Sequence, residues 1–152
     1  MTKNIFIKVS GDLFDNVKFI KFLKKLSSYN IIICVGGGTQ INQALNSRKI
    51  PLKKHGPLGR ELNFPKERRL AKEILERNKK RLQALLSAER IKARVIIPVL
   101  SIGQVICHIN GDEMLRVVYL GFDKLYAITS KSRELLKRQQ FSDLPKIKVI
   151  GL

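Results

Sequence analysis

Ile31-Ile32-Ile33-Cys34-Val35-Gly36-Gly37-Gly38-Thr39-Gln40-Ile41-Asn42-Gln43-Ala44-Leu45 is the stretch that decides the fold. Its apolar opening, β-branched except at Cys34, reads as a strand buried on both faces, while Ile41, Ala44 and Leu45 recur at helical spacing. Three glycines stand where the strand hands over to the helix. A buried strand feeding a helix through a tight turn is the building unit of a parallel α/β sheet. Glycine lets a bound group approach the backbone, and the unpaired N–H groups and partial positive charge of a helix start attract anions. The same glycines also suit a tight turn on steric grounds alone, and both readings stand at this point.

Working outward, Ile5-Phe6-Ile7-Lys8-Val9-Ser10-Gly11-Asp12 is a second strand running into a small-residue turn. If Ile5, Ile7 and Val9 face one layer, Phe6 and Lys8 share the other, which carries the Lys8 ammonium towards the carboxyl end of the strand, where open α/β sheets bind ligands. The alternative is an edge strand with Lys8 reaching to water. A helix follows Asp15, with Val17, Ile20, Leu23, Lys24 and Leu26 in register and Asn30 as its stop. Pro65 opens the longest helix, whose apolar side is Leu70, Ile74, Leu82, Leu85 and Leu86. Strands are expected over residues 95–100 and 105–109, around Ser101-Ile102-Gly103. A helix is expected from about Asn110 to Gly121, with Met114, Leu115, Val118 and Tyr119 inward. After the strand that ends at Thr129 come an amphipathic stretch from Leu135 to Phe141 and a last strand over residues 144–152. The alternation predicts an α/β three-layer sandwich with a mainly parallel central sheet, one compact domain over residues 1–152.

The 152 residues are 44% apolar, enough for a single core. No stretch approaches the roughly 18 apolar residues of a membrane span, and the start lacks a cleavable signal pattern, so no membrane partner and a cytoplasmic location are expected. Cys34 and Cys107 lie in apolar runs without histidines at metal spacing, which makes no zinc site. Charge is the other strong feature: 30 Lys and Arg against 12 Asp and Glu give +18. Much of it falls between Lys66 and Arg94, including Arg68, Arg69, Lys79, Lys80 and Arg81. A basic helix of this kind can bind RNA or a ribosomal surface through phosphates without reading bases. The surface of a Lys-rich proteome looks similar.

Three blocks together resemble the amino-acid kinase superfamily, which transfers the ATP γ-phosphoryl group to small acids. Lys8-Val9-Ser10-Gly11-Asp12 is similar to the Lys-x-Ser-Gly-Glu opening of bacterial uridylate kinases. The Gly36-Gly37-Gly38-Thr39-Gln40-Ile41-Asn42 segment is similar to Gly-Gly-Gly-Pro-x-Ile-Asn of acetylglutamate kinases. His108-Ile109-Asn110-Gly111-Asp112, with Leu120-Gly121-Phe122-Asp123-Lys124-Leu125-Tyr126-Ala127-Ile128-Thr129, resembles their Asn-x-Asn-Ala-Asp block and the strand that follows it. Residues 5–129 carry the likeness.

The resemblance implies an ATP-dependent phosphotransferase acting on a small carboxylate or phosphate, with ATP and Mg²⁺. Lys8 and Asp112 are the implied catalytic pair, with Lys8 on the transferred group and Asp112 organising it; no side chain binds a metal directly. Ser10, Gly11, Gly36, Gly37 and Gly38 are the implied phosphate cradle, Arg60, His108 and Asn110 the acceptor site, and Thr129 and Ser130 the nucleotide contacts. Residues 1–109 correspond to the acceptor lobe and 110–152 to a remnant of the nucleotide lobe, with no place for the family's adenine pocket or its late lysine. A homodimer is implied, or a partner subunit that completes the nucleotide lobe. The alternative from a different class is a non-catalytic derivative of the fold that binds RNA or the ribosome through the basic helix.

Overall fold

Ile5, Ile7 and Val9 are buried on one face of the opening strand and Phe6 on the other, as their alternation requires. The computed structural model describes residues 2–53, 55–56 and 58–152. In chain order these form β1 (Asn4–Val9), α1 (Val17–Lys24), β2 (Asn30–Val35), α2 (Gly38–Ser47), β3 (His55–Gly56), β4 (Gly59–Arg60) and α3 (Pro65–Ala88). Then come β5 (Arg94–Ile96), β6 (Val99–Ile102), β7 (Val105–His108), α4 (Gly111–Val117), β8 (Lys124–Thr129), a 3-10 turn (Lys131–Arg133), α5 (Glu134–Gln140) and β9 (Ile147–Gly151).

The central sheet has the order β5-β2-β1-β8-β9 with every neighbouring pair parallel, while β3–β4 and β6–β7 are separate antiparallel hairpins. Phe19, Ile20 and Leu23 of α1 and Leu82 and Leu86 of α3 cover one face, and Met114 and Leu115 of α4 with Phe141 cover the other. The result is a three-layer α/β sandwich. The chain builds outward from β1 to β5, then returns to place β8 on the far side of β1. The order therefore reverses between β1 and β8, and the carboxyl ends of these strands open a crevice of the kind that binds ligands in such sheets. β1 is paired on both sides, so the edge-strand reading of Lys8 fails.

Several element readings change. Val17 is exposed at the start of α1, and Asn30 opens β2 instead of stopping the helix. The expected strand over 95–100 divides at Pro98 into β5, in the main sheet, and β6, in a hairpin. Proline carries no N–H to continue a ladder, which accounts for the break. The helix after Asn110 ends at Val117, short of Gly121. In α5 the polarity is reversed: Leu135 and Leu136 are 70% and 59% exposed, whereas Lys137 is 7% exposed.

Helices α2 and α3 both close with a left-handed residue that is not glycine, Lys49 and Arg90, each at φ 56°. The following residues, Ile50 and Ile91, donate their N–H groups back to the Leu45 and Leu86 carbonyls at 2.9 and 2.8 Å, the six-residue bond of a Schellman cap. An L side chain in this region costs about 1–2 kcal/mol. Lys49→Gly and Arg90→Gly should each stabilise the fold by roughly 0.5–1 kcal/mol after the entropy of glycine is subtracted, measured as a shift in urea midpoint at constant slope. An unchanged or lowered midpoint would show that these side chains hold the helix ends in another way.

Both cysteines are free. Burial pushes the Cys34 thiol up to about 12, with the Lys8 charge opposing it only in part. Cys107 is half-buried on the β6–β7 hairpin. In native protein an aromatic disulfide reagent should label Cys107 and leave Cys34 unmodified until the chain unfolds. Equal labelling rates would contradict the burial of β2.

Candidate functional site

Lys8 leaves β1 on the α4 side of the sheet and can do so because residue 111 has no side chain. A Cβ on Gly111 would stand 2.8 Å from Lys8 Cε and 3.4 Å from its Cγ. The lysine stem therefore crosses the first turn of α4, and its ammonium reaches Asp112 Oδ1 at 3.3 Å. That approach is an ion pair without hydrogen-bond alignment, since Oδ1 has no hydrogen-bond partner among the described residues. Asp112 Oδ2 instead accepts from the buried Lys137 ammonium of α5, which also donates to Gln140 Oε1 at 2.9 Å. One buried carboxylate thus holds two lysines, one from β1 and one from α5. Burial by itself would raise the Asp112 carboxyl, but the Lys8 charge and the hydrogen bond and charge of Lys137 outweigh it and hold the group below the usual carboxylate range. Asn110 Oδ1 accepts the Asp112 N–H at 3.1 Å, so Asn110 is the helix N-cap that fixes this carboxylate.

The glycine turns meet across the crevice. A Cβ on Gly11 would strike Gln40 Oε1, come within 2.8 Å of the Gly36 carbonyl and 2.9 Å of Asn78 Nδ2, and one on Gly37 would lie 3.0 Å from the same Asn78 nitrogen. Asn78, 2% exposed on α3, donates to the Gly36 carbonyl at 2.9 Å and pins the turn. Gln40 Nε2 reaches the Gly11 carbonyl at 3.1 Å, and Asp12 accepts from Thr39 Oγ1 at 2.7 Å, tying the two turns together. The N–H groups of Gly11, Gly37, Gly38 and Thr39 carry no hydrogen bond among the described residues, so they remain available to an anion. The Gly36 N–H does not, because it continues the ladder by donating to the Val9 carbonyl at 2.8 Å. Gly36 therefore shapes the cradle and offers no donor to it.

Lys8, Ser10, Gly11, Gly36, Gly37, Gly38, Arg60, His108 and Asn110, all singled out in the sequence, line one cavity of about 230 Å³. Arg60 reaches it from the β3–β4 hairpin, donating to the Gly38 carbonyl at 3.4 Å, and Asn110 N–H meets the Leu58 carbonyl at 3.3 Å, seating the hairpin on the site. Pro57 of that segment lies outside the described residues. Burial lowers the Arg60 guanidinium from its ordinary value. His108 donates from Nε2 to the Arg68 carbonyl at 2.8 Å, which fixes its tautomer. Its imidazole is held below the usual range chiefly by burial, with the Arg68, Lys72 and Arg60 charges adding to the effect and that hydrogen bond opposing it.

Thr129 and Ser130 stand outside this cavity. Thr129 is buried in register with Gly151, and Ser130 Oγ lies 3.1 Å from Ser132 Oγ. The residue of this segment that does line the cavity is Arg133, at the end of the 3-10 turn. Asp112 is buried and does not itself line the cavity; it reaches the site through Lys8. Three residues central to the site, Lys137, Asn78 and Arg133, were not assigned to it from the sequence. Asn78 had one usable signal: it interrupts the apolar stripe midway between Ile74 and Leu82.

The basic residues of α3 divide between those engaged within the fold and those that share a groove. Arg68 is engaged with the Leu62 and Asn63 carbonyls at 2.9 and 3.2 Å, Arg81 stacks 5.2 Å from the Phe14 ring centroid, and Lys79 pairs with Glu76 at 3.8 Å. Arg69 and Lys80 share a groove with Lys72 and Arg77, and Glu73 and Glu76 line it too.

No family model matches the chain, and no curated protein matches it. Among solved structures it is similar to the crystal structure of smu.665 from Streptococcus mutans UA159. The TM-score is 0.61 at 14% identity, over 93% of this chain and 84% of that one. This likeness is one of fold. Among the described residues, no helix is long and apolar enough to cross a membrane.

Proposed function

We propose that the crevice is a phosphoryl-transfer site of the amino-acid kinase type, taking the γ-phosphoryl group of Mg·ATP onto a small carboxylate or phosphate acceptor. The observation that carries this reading is the Lys8–Asp112–Lys137 cluster beside a glycine-lined cavity with free N–H groups. A scaffold has no need of two lysines on one buried carboxylate, since desolvating such groups costs several kcal/mol per ion. A site that gathers negative charge has that need.

In the transfer, an acceptor oxygen attacks the γ-phosphorus, the bond to the β–γ bridging oxygen breaks, and ADP leaves with that electron pair. Little covalent help is required, and charge compensation with alignment does most of the work. Lys8 spreads the charge between acceptor and phosphoryl oxygens. The Gly37, Gly38 and Thr39 N–H groups hold phosphoryl oxygens without reorganising. Lys137 adds positive potential from below while Asp112 keeps both ammonium groups in position. The described residues hold no group of three acidic, His or Cys side chains suited to a metal, so Mg²⁺ would arrive on the nucleotide phosphates. The cavity is of a size for a small acid or a phosphoryl group, and the purine would lie outside it.

Calorimetric titration of nucleic-acid-free protein with Mg·ATP, beside Lys8→Ala, tests the proposal. Micromolar binding that weakens at least tenfold in the variant is expected. No heat at millimolar ATP would overturn it and turn attention to the second reading, which the Arg69, Lys72, Arg77 and Lys80 groove favours: RNA held through phosphates. In that case nucleic acid should co-purify at low salt and leave at high salt.

A further inference from the structure

The cavity is far more basic than one phosphoryl group requires. Besides Lys8, Arg60 from the β3–β4 hairpin and Arg133 from the 3-10 turn after β8 line it, with His55 of β3 close to both arginines. Among the described residues, the only carboxylate in the lining is Asp12, which is already bonded to Thr39 and Gln40. Glu134, next to Arg133, is engaged by Lys131 at 2.8 Å and Arg138 at 2.7 Å. Among the described residues neither Arg60 nor Arg133 has a carboxylate within ion-pair distance. Two guanidinium groups that approach one cavity from separate elements repel each other unless an anion sits between them, and planar guanidinium is suited to paired contacts with phosphate or carboxylate oxygens.

We infer that Arg60, Arg133 and His55 form a second anion subsite, so that the ligand of this crevice is a small molecule carrying two anionic groups, one on the Lys8 and glycine cradle and the other on this subsite. A phosphorylated small acid is the simplest member of that class; a plain monocarboxylate would leave one guanidinium uncompensated. Arg133 lies beyond residues 5–129, which carry the likeness, so the resemblance assigns it nothing. His55 fits the same subsite, being held below the ordinary imidazole range by burial and by the Arg60 and Arg133 charges. The inference rests on the phosphoryl-transfer reading only for which end of the ligand reacts.

The test is calorimetry on the full chain with inorganic phosphate, pyrophosphate, phosphonoacetate and 3-phosphonopropionate, which vary the spacing between two anions. At least one doubly anionic probe should bind tenfold or more tighter than phosphate. Arg133→Gln should remove that margin, and Arg133→Lys should restore part of it. Lys8→Ala should weaken every probe. If no probe exceeds phosphate, or the margin survives both Arg133→Gln and Arg60→Gln, the inference is overturned. Binding that persists undiminished in Lys8→Ala belongs to the basic surface at large and overturns it as well. Mg·ATP separates the two proposals: a two-anion margin without ATP binding removes the kinase and keeps the subsite, whereas ATP binding without the margin does the reverse.

Discussion

Asp112→Asn should destabilise the fold by about 3–5 kcal/mol, because it leaves Lys8 and Lys137 close together and largely out of water with no counter-charge. That is a large share of the roughly 5–15 kcal/mol that a domain of this size commands. Urea unfolding measures it directly. The charge, and not the shape, is what the variant removes, since asparagine is nearly isosteric and can still accept from Lys137. The pH dependence follows from the direction of the carboxyl shift. A folded value below the unfolded one means that the stabilisation is fully present above the unfolded carboxyl value of about 3.9 and is lost as pH falls through the lower folded value. Wild type should therefore lose this contribution only below about pH 4, and the variant should show a correspondingly flatter acid limb. The double variant Asp112→Leu/Lys137→Met separates stability from function. An apolar pair can replace a buried ion pair at little cost, so it should regain stability while anion binding at Lys8 stays weakened. A single Asp112→Asn change costing under about 1 kcal/mol would mean that the two lysines are solvated and the cluster is not a unit.

The parts of the site that were legible in the sequence are those whose signal is local. Period-two alternation fixes Lys8 on the face opposite Ile7 and Val9, and β1 obeys it. Asn110 two residues before Asp112 reads as a helix cap with an acidic first turn, and the Asn110 side chain does accept the Asp112 N–H there. The glycine segment reads as a strand-to-helix turn, and it is one. What could not be read depends on partners distant in the chain. Lys137 lies beside two leucines in a stretch that resembles an ordinary amphipathic helix, yet the buried carboxylate of Asp112, 25 residues earlier, draws the lysine inward and turns the leucines out. Arg133 has no local pattern at all, because only the return of the chain from β5 to β8, beside β1, brings it into one cavity with Lys8 and Gly36. The α3 charges are only partly legible for a related reason. Sequence shows how many cations a helix carries, but not that Arg68 and Arg81 are occupied by a carbonyl pair and an aromatic ring.

Gly11→Ala should lower stability by about 2–4 kcal/mol and abolish anion binding, although alanine adds one methyl group. That methyl would stand against Gln40 Oε1, the Gly36 carbonyl at 2.8 Å and Asn78 Nδ2 at 2.9 Å, and the last two are hydrogen-bonded to each other. Gln40 can swing away at small cost; the Gly36 backbone cannot move without dragging the end of β2, since its own N–H is fixed to the Val9 carbonyl. Relief must then come from breaking the Asn78–Gly36 bond, which leaves a buried amide unpaired and adds that penalty to the strain of overpacking. The melting temperature should fall by roughly 5–15 °C. Gly38→Ala is the control within the same turn. A Cβ there meets nothing within 4 Å, and the residue is the first of α2, so stability should hold or rise by a few tenths of a kcal/mol. Equal melting temperatures for the two variants would show that the turns do not touch as described. The contrast between them distinguishes a glycine required by the meeting of two turns from one that keeps the helix start open to a ligand, which are the two readings the glycine segment allowed from the outset.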